Sequence, residues 1–315
     1  MTVDSGLSMK EAFEAAGITV FERGWLSSNC VLFDAGPQHE TVLVDSGYWS
    51  HATQTVELVR RALIGRTLDR VVNTHLHSDH CGGNAELAAH FGCVIDVPEG
   101  EAAAVDDWDA SALSYDATGQ HCPRFVRHGS IAAGSTTRMG RTDWQVLAAP
   151  GHDPNALALY QPELQVLISA DALWENGFGV VFPEIDGVAA FPAVRSTLDM
   201  FSTLPIRWVI PGHGAPFGDA AAAIQRALSR LAGFEAEPAR HARHAAKVLV
   251  KFHLLEVRTV TMAELLAWMV STPMLSTLHR NFGRTESMDG WCVAVVDGLV
   301  ESGALRVVDD TVHDA

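Results

Sequence analysis

The run Asn73-Thr74-His75-Leu76-His77-Ser78-Asp79-His80-Cys81-Gly82-Gly83 places three histidines and an aspartate within six residues. An imidazole nitrogen suits zinc or iron, and a carboxylate adds negative charge, so this density points to a metal site. His75 and His77 stand two apart and cannot share a helix face. They call for a loop that turns back on itself, and Gly82-Gly83 lets the backbone pack closely before the next element. Three weaker signals follow: Ala149-Pro150-Gly151-His152, Ala170-Asp171 and Pro211-Gly212-His213-Gly214. Taken singly, each Pro-Gly-His is a turn with a solvated histidine, and the aspartate is a helix cap. Each nevertheless comes just after an apolar run that reads as a strand.

The His-x-His-x-Asp-His loop resembles that of the metallo-β-lactamase superfamily, and in wording it is nearest to the glyoxalase II-like members. The three later motifs follow in family order, and the resemblance spans residues 18 to 230. It implies an α/β fold, a four-layer αββα sandwich, holding two divalent metal ions. By the resemblance, His75, His77 and His152 hold the first metal and Asp79, His80 and His213 the second, while Asp171 bridges both. Zinc is the expected metal, with iron or manganese as alternatives. The resemblance also implies a bridging hydroxide available at neutral pH, with Asp79 as the catalytic residue that orients it and relays a proton. The family has glycine where this chain has Ala170, a harmless departure if the backbone angle there is ordinary.

The elements that must position these groups are legible as patterns. Short apolar runs predict strands at 18–21, 29–34, 41–45, 70–73, 94–97, 144–149, 156–160, 166–169 and 208–210. Helical spacing predicts helices over 50–64, 84–91, 188–204 and 219–234, the first two stopped by Gly65 and Gly92. Residues 99–141 read as a helix with irregular loops. Beyond Glu235 the pattern becomes nearly all helical, which divides the chain into a catalytic domain, 1–235, and a smaller one, 236–315. Thr261-Met262-Ala263-Glu264 is a capping box opening a helix over 261–271. Helices at 273–281 and 287–302 and a strand at 305–308 complete an order that resembles a winged helix. Such a domain would cap the site or form a homo-oligomer contact.

Composition narrows the function. The 315 residues carry 22 Lys and Arg against 38 Asp and Glu, a net charge of −16. Residues 1–233 alone hold 14 against 27, so the main domain lacks the positive field of a nucleic-acid binder. Five cysteines, at 30, 81, 93, 122 and 292, form no Cys-x-x-Cys, which predicts a reducing compartment without a disulfide framework. Met1 to Gly17 has no signal-peptide pattern, and no apolar run is long enough to span a bilayer. The expectation is a cytoplasmic protein without a membrane partner.

The segment after Asp171 contains Trp174, Phe178 and Phe182, read as an apolar substrate pocket. That favours a small acyl substrate, namely a carboxylic thioester, ester or lactone, over a phosphodiester. The alternatives are a metal-dependent ribonuclease or phosphodiesterase and a non-catalytic metal-binding regulator. The ribonuclease reading rests on Arg240, Arg243, Lys247, Lys251 and Arg258, otherwise a solvated helix face. His241 and His244, three apart on that helix with no acid beside them, read as solvated.

Overall fold

These strands are short and apolar on both faces, which is stable only where both faces of a sheet are covered. The computed structural model of the protein, described over residues 7–283 and 285–315, shows how they are covered; the N-terminal reading of residues 1–6 lies outside the described residues. The first sheet runs β1 (Ile18–Phe21), β2 (Cys30–Phe33), β3 (Val42–Val44), β4 (Arg70–Val72), β5 (Val94–Pro98) and β6 (Gly129–Ile131) in chain order. β1 to β3 pair antiparallel and β3 to β6 parallel. The second sheet holds β7 (Thr136–Met139), β8 (Thr142–Ala148), β9 (Leu157–Gln161), β10 (Val166–Ala170) and β11 (Trp208–Pro211), with only β10 and β11 parallel.

Side chains alternate across each strand. In β2, Val31 and Phe33 turn inward to meet Trp144, Val146, Leu159 and Ile168 of the second sheet. Cys30 and Leu32 turn outward, where Val56, Val59 and Leu63 of α1 (Ala52–Leu63) and Leu87 of α2 (Asn84–Phe91) cover them. On the far side, Tyr160, Leu167 and Val209 pack against α3 (Phe191–Ser202) and α4 (Ala220–Ala236). The layers are therefore helix, sheet, sheet, helix. Within 99–141 the structure adds β6 and β7, both at sheet ends, where short strands with polar residues carry little apolar signal.

Glu237 alone separates α4 from α5 (Pro238–Val257), and Pro238 supplies a first-turn residue with no N–H to leave unsatisfied. α6 (Met262–Ser271), α7 (Pro273–Phe282) and α8 (Met288–Glu301) follow. The capping box at Thr261 is formed: Glu264 N–H donates to Thr261 Oγ1 at 3.2 Å, and Thr261 N–H donates to Glu264 Oε2 at 3.0 Å. The predicted strand is β13 (Leu305–Val308). It belongs to a three-stranded antiparallel sheet with β12 (Thr259–Thr261) and β14 (Thr311–Asp314), two strands too short and polar to read in the sequence. Val180, Phe182 and Ile185, from the segment after Asp171, pack into the core of this helical region and tie it to the main body. Among the described residues, no helix is long and apolar enough to cross a membrane.

Candidate metal centre

Four strand ends converge along one edge of the sandwich. β4 delivers His75 and His77, and the short helix Ser78–Cys81 carries Asp79 and His80. β8 delivers His152, β10 Asp171 and β11 His213. All seven side chains are buried. The ligating atoms of His75, His77 and His152 lie within 4.8 Å of one another, and so do those of Asp79, His80, Asp171 and His213. Asp171 faces both groups: Oδ2 is 3.4 Å from His152 Nε2, and Oδ1 is 3.4 Å from His80 Nε2 and 3.8 Å from His213 Nε2.

Whether these groups suit metals can be read from the hydrogen atoms behind them. His80 Nδ1 donates to Asp45 Oδ2 at 2.7 Å, and His152 Nδ1 donates to the Val180 carbonyl at 2.5 Å. Thr74 Oγ1 donates to Asp45 Oδ2 at 2.8 Å, leaving its lone pairs for His75 Nδ1 at 3.2 Å. A neutral ring in each of these settings carries its proton on Nδ1, which leaves the Nε2 lone pair to a ligand. His75 Nε2 and His80 Nε2 are buried with no hydrogen-bond partner. His77 Nδ1 faces His152 Nε2 at 2.7 Å, a contact that one shared cation or proton must relieve. The all-nitrogen-and-oxygen donor set fits divalent metals of the zinc, iron or manganese kind.

The electrostatics divide the rings: His75 and His77 are held neutral, while the carboxylates around His80 call for a positive charge there, a proton or a metal ion. Burial, and then the neighbouring His80, His77 and His152, push His75 well below the usual histidine range. His77 falls to about 3 through burial and His152. For His80 burial opposes charge, but Asp45, Asp171 and Asp79 outweigh it and hold the ring well above its ordinary value. Asp171 is likewise held well below the carboxylate range by His213, His80 and His152, against the effect of burial.

Close approach depends on two glycines. A Cβ on Gly179 would lie 2.5 Å from His152 Nδ1, and one on Gly212 would collide with Asp171 Oδ1. The condition on which Ala170 is a harmless departure is not met, since its φ is +46°. The glycine-like turn is thus kept with an alanine, at a steric cost of about 1–2 kcal/mol.

The three aromatics expected at the pocket separate. Trp174 lines the cavity beside the metal groups and donates its indole N–H to Asp171 Oδ1 at 3.2 Å. Phe182 lines it too, with its ring 5.3 Å from His77. Phe178 does not: it turns into the main core, where its edge meets Phe234 at 6.3 Å. The next residue, Gly179, faces His152 instead, as alternation along an extended segment requires.

Sequence reasoning missed Asp45, Trp25 and Phe252. Asp45 ends β3 beside the metal loop, and an acid at a strand end in that layer was the available signal. Trp25 stacks on His213 at 5.3 Å and 9° and meets Trp174 edge-on at 5.3 Å. His241 and His244, expected to be solvated, are not. His241 is 3% exposed and accepts the Val181 N–H at 3.1 Å, and His244 Nε2 accepts from Arg230 at 2.8 Å. Both face the main body because α5 folds back along α4.

The family model described as Metallo-beta-lactamase superfamily matches residues 23–213. A hydroxyacylglutathione hydrolase from Hyphomonas neptunium is 28% identical over 116 residues, 37% of this chain and 38% of that protein. The chain thus matches less than half the length of such relatives. A metallo-beta-lactamase family protein of Thermus thermophilus superposes with TM-score 0.55 at 20% identity, covering 95% of this chain and 99% of that one. TTHA1623, solved in a di-iron-bound form, gives TM-score 0.52 at 23% identity over 66% of this chain and 98% of its own. With that match, the layered fold and the ligands in order at four strand ends, the chain belongs to the metallo-beta-lactamase superfamily.

Proposed function

We propose that the protein is a binuclear metal-dependent hydrolase of a small carboxylic thioester, ester or lactone. The observation that carries the reading is the pair of ligand groups, with Asp171 in one and its other oxygen facing His152 of the other, beneath an apolar mouth made by Trp25, Trp174, Phe182, Val248 and Phe252. The hydroxyacylglutathione hydrolase relatives act, by name, on a thioester of that kind. Zinc fits the donor set, and the di-iron neighbour makes iron the alternative to test.

His75, His77 and His152 would hold one ion, and Asp79, His80 and His213 the other, with Asp171 contributing to both. When bound, the pair supplies a Lewis acid and lowers the pKa of water toward neutrality. The rest falls to the chain. Asp79 Oδ2, 3.0 Å from His213 Nε2, would orient the attacking water and take up its proton. Asp45, Thr74 and the Val180 carbonyl fix the imidazole tautomers. The aromatic mouth excludes water and receives the acyl group, a poor environment for a phosphodiester.

The test is metal analysis of the purified protein with parallel assays of acyl thioesters, lactones and single-stranded RNA. Two metals per chain with thioester or lactone turnover is the expected result. Fewer than one metal per chain in metal-replete protein, with no turnover, would sink the enzyme reading. RNA cleavage alone, lost in Asp79→Ala, would replace the substrate class.

A further inference from the structure

Beside the metal edge lies a cavity of about 530 Å³ that the chemistry above does not use. It shares Trp25, Trp174, His213, Val248 and Phe252 with the smaller cavity over the metal groups, so the two adjoin across these side chains. Leu255 and Leu299 extend the apolar wall. The opposite wall is cationic. Arg230, Lys247 and Lys251 line it, against one carboxylate, the exposed Glu175.

Two of these charges are uncompensated. Lys251 pairs with Asp314. Lys247 Nζ donates only to the Gly298 carbonyl at 2.8 Å. Arg230 donates to the Asn176 carbonyl at 3.3 Å and to His244 Nε2 at 2.8 Å, and its guanidinium lies 5.4 Å from the Phe234 ring. Among the described residues no carboxylate pairs with either. Two half-buried cations at the end of an apolar passage, in a chain of net charge −16, reverse the local sign of the field. Low-dielectric walls strengthen the attraction of such groups for an anion, and guanidinium and ammonium bind carboxylate or phosphate by charge-assisted hydrogen bonds.

We propose that this cavity receives the part of the substrate remote from the reacting carbonyl, and that this part ends in a carboxylate or phosphate seated between Arg230 and Lys247. Its apolar segment would lie along Trp25, Trp174 and Phe252. The inference rests on the hydrolase reading only for which bond reacts; the binding of the anion does not depend on turnover.

Octyl phosphate, octanoate and octanol are titrated into the metal-loaded full chain, followed by tryptophan fluorescence and calorimetry. Both anions should bind at least tenfold tighter than octanol, and the tighter of the two identifies the terminal group. Lys247→Gln keeps a donor for Gly298 and should weaken both anions about tenfold, the scale of one charged hydrogen bond, while leaving octanol and metal content unchanged. Arg230→Gln should do the same. Anion affinities unaltered by both variants would mean that the metals bind the anion, and would overturn the proposal, as would anions binding no better than octanol. In the kinetic arm, two acyl thioesters differing only in a terminal carboxylate should differ at least tenfold in kcat/KM in the wild type, and that preference should fall about tenfold in Lys247→Gln. Anion binding that depends on Lys247, with no thioester or lactone turned over, would leave this cavity standing and remove the hydrolase reading. Turnover with no anion preference would do the reverse.

Discussion

Histidines at the metal edge are buried, those on α5 are buried or half-buried, and the surroundings of the two sets differ. At the metal edge five imidazoles lie among Asp45, Asp79 and Asp171, with nitrogens left facing one another or facing nothing. On α5, His241, His244 and His253 lie against rings: His241 beside Phe191 and Phe234, His244 stacked on Phe234, His253 stacked on Trp268 at 3.9 Å. Burial lowers all three, His241 to about 4 and His244 to about 3, with Arg230 adding to the effect in both. Burial of histidine is therefore not the mark of a metal site. Carboxylates that compensate it, and lone pairs with nowhere to go, are.

Substitutions can break this contrast. Asp171→Ala removes the residue common to both groups and should take metal content below one per chain, abolishing turnover, whereas His241→Asn should retain full metal by elemental analysis. Retention of two metals in Asp171→Ala would collapse the distinction. His80→Ala should deplete one metal and largely spare the other. Asp45→Ala, at a residue outside both ligand groups, should weaken the metal that His80 would hold by 10- to 100-fold, the usual scale for a lost acceptor behind a ligand.

The second set should answer to stability and not to metal. His241→Ala leaves the Val181 N–H unsatisfied, at about 1–3 kcal/mol, and should lower Tm with metal content intact. The ring also carries a pH signature. Its folded pKa, about 4, lies below the ordinary 6.5, so the unfolded chain binds the proton first. Stability from this group is whole above pH 6.5 and is lost as pH falls from there to about 4. At pH 5.5 the loss is ~1.4 kcal/mol. Denaturant titrations of wild type and His241→Asn at pH 7 and 5.5 should show it as a narrowing gap. The smallest effect is Ala170→Gly: relief of a positive φ, partly offset by a freer unfolded chain, should stabilise by under ~1 kcal/mol without changing metal content.

Much of this was legible in the residues. Strands over β2, β4 and β10 are mainly apolar because both faces are covered, and candidate ligands follow closely where β4 and β10 end. The strands over β6, β12 and β14 could not be read: each is short, polar or at a sheet edge, and pairing in three dimensions defines it. Phe178 shows the finer limit. Composition says that an aromatic is near the site, but a one-residue alternation decides whether it faces the site or the core. His241 and His244 failed for a related reason: a helix face looks solvated until another helix is laid along it, and the fold-back at Glu237 is not written in either helix.

The ligands also come from different sheets. His75 through His80 hang from the first, while His152, Asp171 and His213 hang from the second. Ions held between them would act as a clasp across the open edge of the sandwich, so loss of metal should loosen the two halves and not merely silence the chemistry. A clasp saturated a hundredfold over its dissociation constant contributes about 2.7 kcal/mol to the folded state. Chelation should then expose the amides of β4 and β10 to hydrogen exchange together, as one seam.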